Sequence, residues 1–191
     1  QNMLLSDEAQ IVQGVSGNAC YLPAGIGGIK IAGDRNEVSV SLWRQWDGVV
    51  EADEVRGVFS FKNMQVFFDN KSDFLTIVLN GFKAITDVKD DQKQAHWCFV
   101  FAKNNFFKVY KNAEKVYELA AGTAPCDFSE GFTLGGGRTH ATFDEVRLYK
   151  SVLKQNEIEG LYRLVSKGTH FKQLEKLIEG TTPKYLGVTE T

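Results

Sequence analysis

"ATFDEVRLYKSVLKQNEIEGLY" (141–162) is the stretch whose reading decides the fold. Its first half has the period-2 alternation of a β-strand. On a regular strand Asp144 shares a face with Val146 and Leu148, and Glu145 shares the other with Arg147 and Tyr149. Two adjacent carboxylates then point to opposite faces and cannot act on one substrate atom. Glu145 and Arg147, two apart, can pair. The acids are therefore expected to brace a scaffold. In the second half Ile158, Leu161, Tyr162 and Val165 fall at helical spacing. Gly160 weakens that helix by about 1 kcal/mol relative to Ala.

Upstream, one strand-like run follows another. "NEVSVSLW" (36–43) sets Val38, Val40 and Leu42 on one face, and Ser39, Ser41 and Trp43 on the other. "RGVFSFK" (56–62), "NMQVFFD" (63–69) and "DFLTIVLNG" (73–81) read as strands, with a hairpin loop at 69–73. "HWCFVFAK" (96–103) and "NNFFKVYKN" (104–112) read as a hairpin that "EKVYELA" (114–120) continues. Then come "GFTLGGG" (131–137) and the closing strand. The glycine-rich start leaves room for short strands around 20–22 and 28–31. Many short strands between turn signals predict an all-β sandwich. Beyond 165, Phe171, Leu174, Leu177 and Ile178 form one apolar stripe, stopped by Gly180 and Pro183.

Composition narrows the function classes. Over 191 residues the formal net charge is −2, so no basic field points to nucleic acid. The three cysteines lack C-x-x-C spacing, which speaks against a disulfide framework and a zinc site. The longest apolar run, "FLTIVL" (74–79), is strand-sized, so no membrane span is expected. The start has neither Met nor a signal-peptide pattern, so a trimmed chain, a processed product or an excised domain is expected, and "TTPKYLGVTET" reads as a linker or an extended tail.

The closing block resembles the laminin-G-like domains of the concanavalin A-like lectin/glucanase superfamily. Phe143, Asp144, Glu145, Val146, Arg147, Leu148 and Tyr149 carry the likeness, followed by Leu153, Glu157, Ile158, Leu161 and Tyr162. The Gly135–Gly137 block, Trp97, Val109, Tyr110 and Asn112 also fit. The resemblance covers roughly residues 10 to 165. It implies a two-sheet antiparallel jelly-roll sandwich (1–165) with a short helix after the last strand; outside it, the apolar stripe predicts a helical appendage and tail (166–191). One departure is physical. The family's Ser/Thr helix cap is replaced by Lys154, which cannot accept a hydrogen bond from the first-turn amides, and Ser151 is an alternative start.

Candidate sites follow from chemistry. Glycanases of this superfamily place alternate carboxylates on one strand. The nearest match is Glu51, Asp53 and Glu54, but the third acid is missing because Arg56 holds its place, so catalysis is not expected. Sugar rings stack on exposed aromatic faces flanked by planar polar groups. Trp46 beside Arg44 and Asp47 is the better platform; Trp43 is expected to pack beneath a crossing segment, and Trp97 in the core. Arg138 and His140, after the glycine block, are candidates for the rim. Several superfamily members bind calcium through loop oxygens, but no D-x-D-x-D run supports that here, and no cofactor is expected.

The expected function is a non-catalytic recognition or adhesion module for carbohydrate or a surface protein. Its expected setting is extracellular or on a virion surface, within a larger tail-fibre-like or surface protein. The alternative is a structural module without glycan binding, oligomerising or docking on neighbours through Phe171, Leu174, Leu177 and Ile178. A glycoside hydrolase is disfavoured by the incomplete carboxylate set.

Overall fold

The computed structural model describes residues 9–31, 33–51, 54–166 and 184–185. In chain order the elements are β1 (Gln10–Gln13), β2 (Asn18–Leu22), β3 (Ile26–Ile29), β4 (Glu37–Trp46), β5 (Val55–Phe61), β6 (Met64–Asp69), β7 (Phe74–Leu79), β8 (Phe82–Lys89), β9 (Ala95–Ala102), β10 (Phe106–Lys111), β11 (Glu114–Ala120), β12 (Phe132–Leu134), β13 (Ala141–Tyr149), α1 (Gln155–Ser166) and β14 (Lys184–Tyr185). They form two antiparallel sheets. The eight-stranded sheet runs β1-β2-β13-β4-β9-β10-β11, with β14 added on β13; the six-stranded sheet runs β3-β12-β5-β6-β7-β8. Among the described residues, the expected all-β, two-sheet sandwich with a short helix after the closing strand β13 is the observed architecture.

Alternation explains why the sheets stack. Val38, Val40 and Leu42 of β4 face the core between the sheets, as do Phe59, Phe61, Phe68, Phe99, Phe101, Phe107, Phe132 and Phe143. Phe59 meets Phe99 edge-on across the sandwich, 5.1 Å between centroids. The opposite face of β4 has its own apolar layer, because α1 covers it. Trp43, Cys98, Val100, Tyr110 and Tyr149 pack there against Leu153, Ile158 and Leu161. Trp43 stacks on Tyr162 at 5.7 Å, so it is a helix anchor, as expected. Trp97 lies in the core against Phe68. Buried Ser39 ties the chain down before the helix: its Oγ donates to the Ser151 carbonyl (2.8 Å) and accepts from the Leu153 amide (3.0 Å).

The helix starts at Gln155, not a turn earlier at Ser151. Half of the capping arrangement survives, since Glu157 reaches back to accept from the Lys154 amide at 2.6 Å. The Lys154 carbonyl accepts from the Glu157 and Ile158 amides at 3.0 Å, but its side chain offers the first turn no acceptor.

The alternation assumed for β13 needs correction. A bulge lies between Asp144 and Arg147, and Glu145 has φ +51°, in the left-handed region. The extra residue puts Asp144 opposite Trp43 and Arg147 opposite Ser41. Phe143, Val146 and Leu148 face the core, so Asp144 shares the outer face with Arg147 and Tyr149, not with Val146 and Leu148. Asp144 clamps the N-terminal turn: it accepts from the amides of Val15 (2.7 Å), Ser16 (3.2 Å) and Glu145 (2.7 Å). Glu145 pairs with Arg147 as expected. Both acids brace the scaffold.

Within the stretch read as a linker or extended tail, Lys184 and Tyr185 pair with Leu148 and Arg147. The Phe171, Leu174, Leu177 and Ile178 stripe lies outside the described residues.

Candidate functional site

At one end of the sandwich the β4–β5 loop meets the loop that leads into β13. Pairing of the two strands dictates this: Trp46 lies opposite Ala141, and the Asp47 amide donates to the His140 carbonyl at 3.1 Å. The glycine block fixes the second loop. The Gly57 amide donates to Gly136 O and the Gly135 amide to Val58 O, both 2.9 Å. A Cβ on Gly57 would sit 2.5 Å from the Gly135 backbone, so only glycine permits this approach. Buried Thr139 donates to Gly57 O at 2.7 Å, and its neighbours Arg138 and His140 are carried to the rim.

Three of the expected residues, Asp47, Arg138 and His140, come together there, joined by two that were not foreseen in this role. Tyr21 of β2 donates its hydroxyl to Asp47 Oδ2 at 2.7 Å and lies 3.3 Å from His140 Nδ1. His140 Nε2 is 2.7 Å from Glu51 Oε1, and Glu51 Oε2 is 3.6 Å from Arg138 Nε. A carboxylate only accepts, so the imidazole donates to Glu51. Asp47 Oδ1 also accepts from the Val49 amide at 2.9 Å. Desolvation, then the Asp47 hydrogen bond and charge, push the Tyr21 phenol up to about 12. Tyr21 therefore stays a donor at neutral pH. The tip of the first loop adds an apolar edge, with Val49 and Val50 exposed at 43% and 53%.

Trp46 and Arg44 lie beneath this rim rather than on it. Trp46 is 6% exposed, donates through Nε1 to Val49 O at 3.0 Å, and has the Arg56 guanidinium 3.9 Å from its ring centroid. The face expected to stack on a sugar is filled by the protein itself. Arg44, 1% exposed, holds both oxygens of buried Asp90 at 2.9 Å. Arg56 also reaches Asp90 (3.5 Å), Asp73 (3.0 Å) and Asn70 (2.8 Å), and Asn70 donates to Glu51 O at 2.8 Å. This network, buried at Arg44 and Arg56, holds the Glu51 backbone in place.

Of the three acids considered for glycanase chemistry, Asp53 lies outside the described residues. Glu51 is engaged by His140 and Arg138. Among the described residues no cluster of three or more His, Cys, Asp or Glu side chains is placed to hold a metal ion. A second concavity, about 560 Å³, opens between the edge strands β8 and β11. Leu79, Phe82, Ile85, Tyr117 and Leu119 line it, and Phe82 and Ile85 are 64% and 58% exposed.

The chain resembles solved all-β sandwich domains. The binding domain of Paraclostridial Mosquitocidal Protein 1 superposes with a TM-score of 0.67 at 15% identity, over 84% of this chain and 47% of that one. The botulinum neurotoxin serotype D ligand binding domain, solved with N-acetylneuraminic acid, gives 0.66 at 11% identity, over 85% of this chain and 45% of that one. Domain 4 of AbnA, a GH43 extracellular arabinanase from Geobacillus stearothermophilus, solved with arabinotriose, gives 0.64 at 19% identity, over 82% of each chain. The chain thus spans less than half the length of the two toxin domains. The sequence matches no family model and no curated protein. Likeness at these identities establishes the sandwich fold and does not assign the laminin-G-like family.

Proposed function

We propose that the chain is a non-catalytic recognition module of laminin-G-like type that binds glycans at the rim formed by Tyr21, Asp47, Glu51, Arg138 and His140. The observation that carries this is the convergence of five polar side chains from three separate segments beside the exposed Val49 and Val50. Planar polar groups that fix hydroxyls, next to a small apolar surface, suit a sugar ring. The neighbours solved with arabinotriose and with N-acetylneuraminic acid support the reading by analogy of fold. An extracellular setting, within a larger surface protein, draws support from the same neighbours. A virion setting rests on the sequence resemblance alone. No described helix is long and apolar enough to cross a membrane.

The alternative is an assembly module without glycan binding. The groove between β8 and β11, with Phe82 and Ile85 exposed, favours it. A glycan array with isothermal titration of the hits, run beside sedimentation at several concentrations, separates the two. Sugar binding that Glu51→Ala and His140→Ala each weaken about tenfold or more, with the fold intact by circular dichroism, is the expected result. No sugar binding, together with concentration-dependent oligomers, would replace the glycan reading with the assembly one.

A further inference from the structure

We infer that the rim selects neutral, hydroxyl-rich sugars over sugars that carry a carboxylate. This rests on the glycan reading above and narrows it to a charge class. Asp47 and Glu51 both present carboxylates at the rim. Glu54 adds a third acid on the same side, its Oε2 only 3.3 Å from where a Cβ on Gly137 would lie. The groups that could welcome an anion already have a carboxylate beside them. Arg138 Nε and His140 Nε2 both address Glu51, at 3.6 and 2.7 Å, so Glu51 is the counter-ion of Arg138 and the hydrogen-bond acceptor of His140.

An incoming carboxylate would compete with Glu51 for these partners and add charge to a rim that already carries Asp47 and Glu54. An incoming hydroxyl meets no such obstacle. A carboxylate has about four acceptor sites. The Asp47 side chain accepts from Tyr21 and from the Val49 amide, which leaves capacity for sugar hydroxyls. Beyond Gly48 the flank is an uncharged amide, Gln92, whose side chain lies 3.0 Å from where a Gly48 Cβ would be. With the Trp46 face closed by Arg56, the apolar side of a ring has Val49 and Val50 to rest on.

The test uses the 191-residue chain and matched probes in a titration series. Arabino-oligosaccharides and unsialylated lactosamine form the neutral set; oligogalacturonate and sialylated lactosamine form the acidic set. The neutral probes should bind about tenfold tighter at low salt, the size expected of one or two like charges at an exposed site. The gap should shrink as salt rises. Asp47→Asn with Glu51→Gln should narrow it, and Glu54→Gln alone should narrow it too, which keeps the test decisive should the double variant fail to fold. Acidic probes binding as well as or better than neutral ones would overturn the selectivity and leave the glycan reading standing. Binding of neither set would overturn both.

Discussion

His96 sits in the layer beneath α1, buried between the rings of Trp43 (5.6 Å) and Tyr162 (6.2 Å), with Nε2 2.9 Å from Ser41 Oγ. Desolvation, and then the charge of Arg147, push its pKa from 6.5 down to about 3. Between those two values the unfolded chain binds more protons than the folded one, so stability falls as pH drops. The contribution is complete above about pH 6.5 and is gone near pH 3. At pH 4.5 the loss at this one residue is about 3 kcal/mol. Urea midpoints at pH 7 and 4.5 should show the decline, and His96→Gln should flatten it; an equal slope in the variant would mean that the folded protein protonates His96 freely. The rim obeys the same rule that local sequence hides long-range partners. Arg44, Trp46 and Asp47 are near neighbours in sequence, yet Arg56 covers Trp46 and Asp90 buries Arg44, while Asp47 alone reaches the surface. Tyr21 joins the rim because β2 and β4 both pair with β13, a relation no spacing within the chain reveals.

At the scale of elements, α1 begins on a residue that caps poorly. Lys154→Ser should give the first-turn amides an acceptor while Glu157 keeps its bond to the residue 154 amide. The gain should be about 1 kcal/mol, or a melting temperature higher by about 2–4 °C. An unchanged midpoint would mean that water already serves those amides. The long strands and α1 were legible because alternation and helical spacing report directly on burial. β8 was not. In it Ala84 and Thr86 are buried while Phe82 and Ile85 face out, so the larger apolar groups mark the wrong side. The β13 bulge was hidden for another reason. Its left-handed residue is Glu145 rather than glycine, and the Asp144 side chain beside it accepts from the Glu145 amide. Short β1 and β14, at four and two residues, carry too little pattern to read.

At the scale of the whole molecule, fold class came through clearly, while the site came through only in part. A sandwich follows from the density of alternating runs; the rim depends on which loops the topology brings to one end. That topology makes β13 the keystone, since it lies between β2 and β4 although it comes after both in the chain. Residues 1–140 alone should therefore leave the long β4 edge and the short β2 edge unpaired and aggregate. The soluble fraction on expression checks this, and a soluble, monomeric fragment with native-like circular dichroism would refute it. Order of synthesis sharpens the point. The bond from Val15 to Asp144 spans 129 residues, so the larger sheet cannot close around its centre until β13 has been synthesised. At 5–20 residues per second the first strands wait roughly ten seconds for their partner, exposed to chaperones and to one another. For this protein the vulnerable interval is the wait for β13, and its folding should respond to translation speed.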